Sequence, residues 1–418
     1  MKMRHASLPV IALLLLVLLT FSGCTSIETR EEPEERIQDL ELLVSTLETE
    51  HPNPYSLTNK KDLEDFFERT GKEASSMDDL SFYFSVQELV ALVGDSHTMV
   101  GPPQELLQSM HAYPFQIAYI ENAWRLTVVE QAYAPMLASE VLSINGIPIE
   151  EILTRFRSLI GYDTEQWFRQ RVAQMLNIAE YYSYLGITGG VEDPITLTID
   201  HRTCQNISSS SISAITIEEF YQKTYTTLYD TPSKTGTAQG YYRTEVLSED
   251  TNVVFIQYNV CASHPDFSIE SFTKETLKIV RERQPTTVIF DLRFNGGGDS
   301  RLAEPLIDGL SDLQGSLGFS LDVLIGERTF SSALMNAIQI RDRCNARLVG
   351  TASGGSVNHF GEVKTLLLPH SGIPFQYSTK IFTMDTEHEG DSLIPDVEII
   401  QRVEDLLNGE DTALEALF

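Results

Sequence analysis

Residues 288–298 read VIFDLRFNGGG, and the fold turns on how this stretch is read. Val288, Ile289 and Phe290 form a short apolar run of β-prone residues, which predicts a buried strand rather than a helix. Asp291 and Arg293 bring charge to the strand end, Asn295 breaks it, and Gly296, Gly297 and Gly298 follow. Three consecutive glycines let backbone N–H groups approach another group with no side chains in the way. A strand that ends in bare amides suits the holding of developing negative charge. Taken alone, the pattern reads equally well as a glycine-rich turn after a core strand.

The flanking segments extend the pattern. Strands are predicted at 253–258, 288–292, 321–325 and 347–349, with helices at 268–282, 302–313 and 331–343 between them. Such alternation predicts βαβ crossovers and an α/β core. The last helix opens on Thr329-Phe330-Ser331-Ser332-Ala333. A serine at a helix N-terminus is ordinarily a cap. The place also suits a nucleophile, because the positive end of the helix stabilises an anion and the next backbone N–H can face an oxyanion.

Upstream, residues 31–50 predict an amphipathic helix with Ile37, Leu40, Val44 and Leu47 on one face. A second helix is predicted at 60–72, and Asp78 caps a third anchored by Leu80, Phe84 and Leu89. Together these predict a helical N-terminal domain. The third helix runs into Gly94-Asp95-Ser96-His97-Thr98. A histidine between hydroxyl residues, just past a helix-ending glycine, is a candidate general base, although a single histidine is more commonly a plain surface or core residue. Residues 117–129 predict a hairpin turning at Glu121-Asn122-Ala123. Residues 138–149, ASEVLSINGIPI, predict a strand, an Asn-Gly turn and a second strand, leading into a helix at 150–159. Beyond them are predicted a helix at 167–184, a strand at 195–199, a Ser-rich mobile loop at 205–214 and a helix at 217–228.

A chain of 418 residues has room for two or three domains. Lys2, Arg4 and His5 precede an apolar run over residues 8–21, too short for a comfortable membrane span and matched to a signal h-region. The run ends in Phe21-Ser22-Gly23-Cys24, which resembles the lipobox of bacterial lipoproteins except that Phe21 replaces the usual leucine. That resemblance implies removal of residues 1–23, lipid on Cys24, a polar tether over 24–35, and a location outside the cytoplasm on the membrane of a bacterial cell envelope. The net charge of −30 becomes about −32 once Lys2 and Arg4 are gone, which repels nucleic acid and anionic membrane surfaces. Cys204, Cys261 and Cys344 remain, and three cysteines imply no disulfide framework within one chain.

Four separated segments, Asp95-Ser96-His97-Thr98, residues 291–298, residues 329–333 and Leu393-Ile394-Pro395-Asp396-Val397, resemble in order and spacing the C-terminal processing (tail-specific) and tricorn-like serine peptidases. Gly350-Thr351-Ala352-Ser353-Gly354-Gly355 and Asn358-His359-Phe360-Gly361-Glu362 fit one branch of that family. The 138–149 phrase resembles the core of a PDZ domain. The resemblance implies an α/β (α+β multidomain) fold: a helical N-terminal domain over 36–110 ending in the Ser-His motif, a PDZ-like β domain over 111–200, and a ClpP/crotonase-like α/β peptidase core over 201–418. It implies Ser331 as nucleophile, with Ser332 as the alternative, attacking a peptide carbonyl to form an acyl-enzyme. The oxyanion would lie between the Ser332 N–H and an N–H of the Gly296–Gly297 pair.

The base divides the family. Tail-specific members use a lysine shortly after the nucleophile helix, but no lysine occurs between Arg347 and Lys364, and Lys364 lies out of register. Tricorn-like members use histidine and glutamate with a supporting serine, which the Ser96-His97 pair matches. His97 is then the base and Ser96 its orienter, with Glu389 as the acid and Asp391 and Glu387 as rivals. Pro395-Asp396 is read as structural. The implied partners are a peptide or unfolded protein substrate and, through lipid, a membrane. No nucleic acid, metal or organic cofactor is implied, since no ligand spacing for a metal occurs. The other reading is an inactive peptide-binding lipoprotein that keeps the fold.

Overall fold

The computed structural model describes residues 33–202, 206–230, 236–248, 252–386 and 391–417. Cys24, Cys204, Glu387, Glu389 and the 8–21 run lie outside the described residues. Among the described residues no helix is long and apolar enough to cross a membrane, and Cys261 and Cys344 are free and buried.

The parallel core forms as its alternating β-branched and aliphatic strands require. Six strands lie in the order Tyr242–Ser248, Val253–Tyr258, Thr287–Asp291, Ser320–Ile325, Arg347–Gly350 and Val397–Glu398. The first pair is antiparallel and every later pair is parallel. Helices Ile269–Arg283, Glu304–Leu317 and Ser332–Cys344 make the crossovers. The period of two splits each strand between two layers. Val254, Ile256, Val288, Phe290 and Val323 pack with Phe272, Leu306 and Ala337 of the helices on one face. Val253, Phe255, Ile289, Leu324 and Val349 pack with Ala413 and Leu414 on the other. The loops leaving the carboxyl ends of the strands therefore share one edge, the place where open α/β sheets build their sites.

The N-terminal helices are Pro33–Glu50, Lys60–Glu73 and Asp79–Ala91. The second and third begin on capping side chains: Asn59 accepts from Asp62 N at 2.9 Å and Asp78 from Ser81 N at 2.7 Å. They share one hydrophobic core with an antiparallel sheet, Leu40, Leu47, Phe84 and Leu89 joining Leu126, Ile144 and Leu197. In that sheet Phe115–Ile120 and Ala123–Glu130 form the expected hairpin. Its turn residues Glu121 and Asn122 have φ of 53° and 58°, as the tight hairpin turn requires. Glu140–Ile144 and Ile147–Pro148 pair across Asn145-Gly146. A three-stranded sheet of Met99–Val100, Pro374–Thr383 and Asn358–Leu367 fixes the segment carrying His97 against the core.

Three expectations are corrected. Within the loop expected at 205–214, Asn206–Ile212 is an edge strand on Ile195–His201. Serine composition misleads here because an edge strand has a solvated face, and the hydroxyls bond across the pair, Thr198 Oγ1 to Ser209 Oγ at 3.1 Å and His201 Nε2 to Ser208 Oγ at 2.7 Å. The helix expected at 167–184 is two, Glu165–Ala173 and Ala179–Tyr184. Between them the carbonyl of Leu176 accepts Tyr182 Oη at 2.6 Å and that of Asn177 accepts Tyr113 N at 2.7 Å, which draws both out of a helical ladder. The helix expected at 217–228 ends at Gln222, and Tyr225–Thr227 pairs with Glu130, Val129 and Val128 as a strand. The antiparallel sheet thus runs past the boundary expected at residue 200.

Candidate active site

Three loops at the carboxyl edge of the core sheet meet around Ser331. The first follows Thr287–Asp291. Buried Asn295 pins it, donating from Nδ2 to Tyr258 O at 2.9 Å, accepting at Oδ1 from Gly297 N at 2.9 Å, and accepting at its carbonyl from Phe330 N at 3.1 Å. The second follows Ser320–Ile325. Thr329, fully buried, donates from Oγ1 to Leu292 O at 2.9 Å and accepts from Gly326 N at 3.0 Å, locking the turn that leads to the serines. The third follows Arg347–Gly350, and Gly355 N donates to Thr329 O at 3.2 Å.

Ser331 stands immediately before helix Ser332–Cys344 with φ 53° and ψ −125°, a sparsely populated conformation for a residue with a side chain. A sharp strained turn between a strand and a helix is how a nucleophilic serine is raised above a sheet. A Cβ on Gly297 would lie 2.8 Å from Ser331 Cβ and 3.2 Å from Ser332 N, so the glycine loop lies against the serine as closely as backbone allows. The two serines differ in their commitments. Ser332 is buried and its hydroxyl donates to Gly298 O at 2.6 Å. The Ser332 amide and the Gly296 amide have no hydrogen-bond partner among the described residues, whereas the Gly297 amide is bonded to Asn295.

His97 is brought to this loop by the small sheet: Gln376 Nε2 donates to its carbonyl at 2.9 Å. Its ring stacks with Phe330, at 4.4 Å between centroids, and with His359, at 5.6 Å. The ring is buried and neither nitrogen has a hydrogen-bond partner among the described residues. Burial pushes its pKa down to about 4, against an opposing pull from Asp95 and with a further push from His359. Ser96 does not bond the imidazole. Its hydroxyl donates to Asp163 Oδ1 and accepts from Asp163 N, the latter at 3.0 Å. Asp391 is solvent-exposed and contributes only its carbonyl, to Val357 N at 2.9 Å. Asp396 Oδ2 accepts from Leu348 N at 2.8 Å, tying the last strand to the sheet. Among the described residues no group of histidine, cysteine, aspartate or glutamate could hold a metal ion.

Sequence reasoning missed the segment 163–170, which lies across the site. Thr164 Oγ1 donates to Gly354 O, Gln166 Oε1 accepts from Ser392 Oγ at 3.0 Å, Trp167 stacks on Phe330 at 3.7 Å, and Arg169 pairs with Glu327. No local signal marks it, because every one of these partners is remote in sequence. Asp163 carries the clearest electrostatic consequence. Burial, aided by the Asp95 charge, raises its pKa to about 7 against the Ser96 bond that lowers it. An exposed aspartate titrates near ~3.9, so stability from the protonated carboxyl is complete below that value and is lost as pH rises through about 7. Asp163→Asn is therefore expected to gain stability over the parent between pH 5 and pH 8, by about 1–3 kcal/mol after allowance for partial solvent screening. Urea unfolding at both pH values checks this, and an equal effect at both would refute it.

No protein-family model matches the chain, and no curated protein matches it by sequence. Solved structures do. The crystal structure of mature CPAF superposes with a TM-score of 0.64 over 92% of this chain and 96% of that one, at 13% identity. CPAF complexed with lactacystin gives 0.61 over 92% and 97%, also at 13% identity. The photosystem II D1 C-terminal processing protease gives 0.43 over 91% and 98%, at 11% identity, a score too low to carry argument. At such identity the likeness is one of fold. The chain has the fold of CPAF, a mixed α/β fold as expected from the sequence.

Proposed function

We propose that this chain is a serine-type endopeptidase, held outside the cytoplasm by lipid on Cys24, that hydrolyses peptide bonds through an acyl-enzyme on Ser331. The observation that carries the reading is the strained backbone of Ser331 at a helix N-terminus, in contact with Gly297 and beside the ring stack that contains His97. Ser331 Oγ attacks the peptide carbonyl while His97 takes its proton. The C–N bond then breaks as the proton passes to the leaving amine, and water cleaves the ester by the same route. The Ser332 N–H and an amide of the glycine loop receive the oxyanion. Ser96 and Glu389 position the imidazole in the motif-based assignment, for which Ser96 would have to turn from its bond with Asp163 to the ring. Residues 111–200 act as the PDZ-like unit, taking an extended peptide or unfolded protein segment by strand addition. Lys364 is exposed and its Nζ donates to Glu50 at 2.9 Å, which favours the histidine over a lysine base.

The competing reading, a peptide-binding protein without activity, draws support from the ring of His97, which is unbonded among the described residues. One experiment separates the two. Protein extracted from membranes is treated with a fluorophosphonate and its intact mass and peptides are read. The expected result is a diacylglyceryl Cys24 at the first position and one phosphonate on Ser331, lost in Ser331→Ala and kept in Ser332→Ala. Absence of any adduct, or an adduct on Ser332, overturns the assignment.

A further inference from the structure

Asp95 is the most deeply committed carboxylate near the site. Its side chain is fully buried, and among the described residues neither arginine nor lysine pairs with it. Four donors hold it instead: His51 Nε2 at 3.2 Å, Thr98 Oγ1 at 2.5 Å, Ser378 Oγ at 2.6 Å and the His97 amide at 2.9 Å. Burial alone would raise its pKa, but the His51 bond, the nearby His97 and the two hydroxyls bring it down to about 2, so the group is anionic. Burying a carboxylate with no fixed cation is costly, and a fold that does so holds a negative charge where a positive one is to appear.

The place for that positive charge is the adjacent imidazole. Asp95 Oδ1 lies 3.9 Å from His97 Nδ1, about 1 Å beyond hydrogen-bond reach. Among the described residues both ring nitrogens are unbonded, and the ring stacks with Phe330 and with His359. A small shift of the ring toward the carboxylate would close the gap. Nδ1–H then points at Asp95, and the Nε2 lone pair is left for the serine. With its pKa near 4 the resting imidazole is a weak base at neutral pH, and contact with the carboxylate corrects this.

We propose that Asp95 is a positioning residue that acts through His97, fixing the Nδ1–H tautomer and stabilising the imidazolium formed when Ser331 is deprotonated. This rests on the serine-peptidase reading and deepens it, placing Asp95 at the Nδ1 position that the motif-based assignment gives to Ser96 and Glu389. The titratable groups facing the pair are His51, on the far side of the same carboxylate; His359, stacked on His97; and Asp163, which faces Asp95 from the 163–170 segment.

Two measurements test it. In the intact protein, side-chain nitrogen NMR of His97 at neutral pH is expected to show Nδ1 protonated and Nε2 bare. The opposite tautomer overturns the proposal and needs no variant to fold. In Asp95→Asn, kcat is expected to fall about 10²–10⁴-fold with KM within about threefold, and the acidic limb of kcat/KM to move to lower pH as the stabilising charge is lost. Unchanged kcat, or a loss of kcat with the limb unmoved, overturns it. The tautomer is readable whether or not Ser331 takes a fluorophosphonate. A labelled Ser331 with the wrong tautomer removes the role of Asp95 alone, whereas an unlabelled protein removes the peptidase reading and with it the role of Asp95 in catalysis, whatever the tautomer.

Discussion

Ser331→Ala and His97→Ala are each expected to lower kcat/KM on a peptide substrate by on the order of 10³–10⁶-fold, with the double variant hardly worse than either single one. The non-additivity follows because a nucleophile and its base act as one unit: once either is gone the other has nothing to do. The residual rate would come from the proposed oxyanion donors, the amides of Gly296 and Ser332, which both variants leave in place. The pH profile gives a separate check. A histidine base is lost as it protonates, and burial brings His97 to about 4. The acidic limb of kcat/KM for the parent protein should therefore lie near pH 4, well below the ~6.5 of an exposed imidazole. Lys364→Ala should remain within about threefold of the parent, since Lys364 is spent on Glu50 at the surface. Loss of activity in Lys364→Ala together with its retention in His97→Ala would restore a lysine dyad and end the histidine mechanism.

Much of this architecture could be read from local chemistry. The run Val288–Phe290 is apolar and β-prone and forms a strand buried on both faces. Asp78 caps a helix and Asn145-Gly146 turns a hairpin because these residues act on neighbours within three positions. What failed locally depended on distant partners. The serines of Asn206–Ile212 form a strand because Ile195–His201 offers an edge, and the break near Leu176 and Asn177 exists because Tyr182 and Tyr113 take their carbonyls. The site shows the same division. The pairing of Ser96 with His97 and the glycine loop are visible as motifs. The partner of Ser96, Asp163, is 67 positions away, and Ser378 reaches Asp95 across 283. Two adjacent hydroxyls cannot be told apart by residue type. What distinguishes them in the folded chain is the φ of Ser331 and the bond of Ser332 to Gly298 O.

Gly297→Ala should be nearly as damaging as removal of the serine, for reasons that are wholly geometric. Gly297 has φ of 111°, a region L side chains rarely adopt. A methyl there would stand 2.8 Å from Ser331 Cβ and 3.2 Å from Phe330 O and Ser332 N. These are backbone and near-backbone atoms, so no flexible side-chain end can yield, and either the loop or the serine must move. The loop is tied on both sides, by Cys261 N to Gly297 O at 2.9 Å and by Ser332 Oγ to Gly298 O at 2.6 Å. The displacement would therefore fall on the amides proposed to receive the oxyanion and on the strained Ser331. A shift of about 1 Å at reacting groups costs on the order of 10²-fold, and loss of an oxyanion donor about 10²–10³-fold. The expected result is a fall in kcat of about 10²–10⁴-fold with KM within about threefold, a matching fall in the rate of fluorophosphonate labelling, and a stability loss of only about 1–3 kcal/mol. Gly315→Ala is the control: it lies in helix Glu304–Leu317 with open space around its Cα, and should keep full activity while gaining up to about 1 kcal/mol of stability. Full activity in a folded Gly297→Ala would mean that the glycine loop and Ser331 do not form one site.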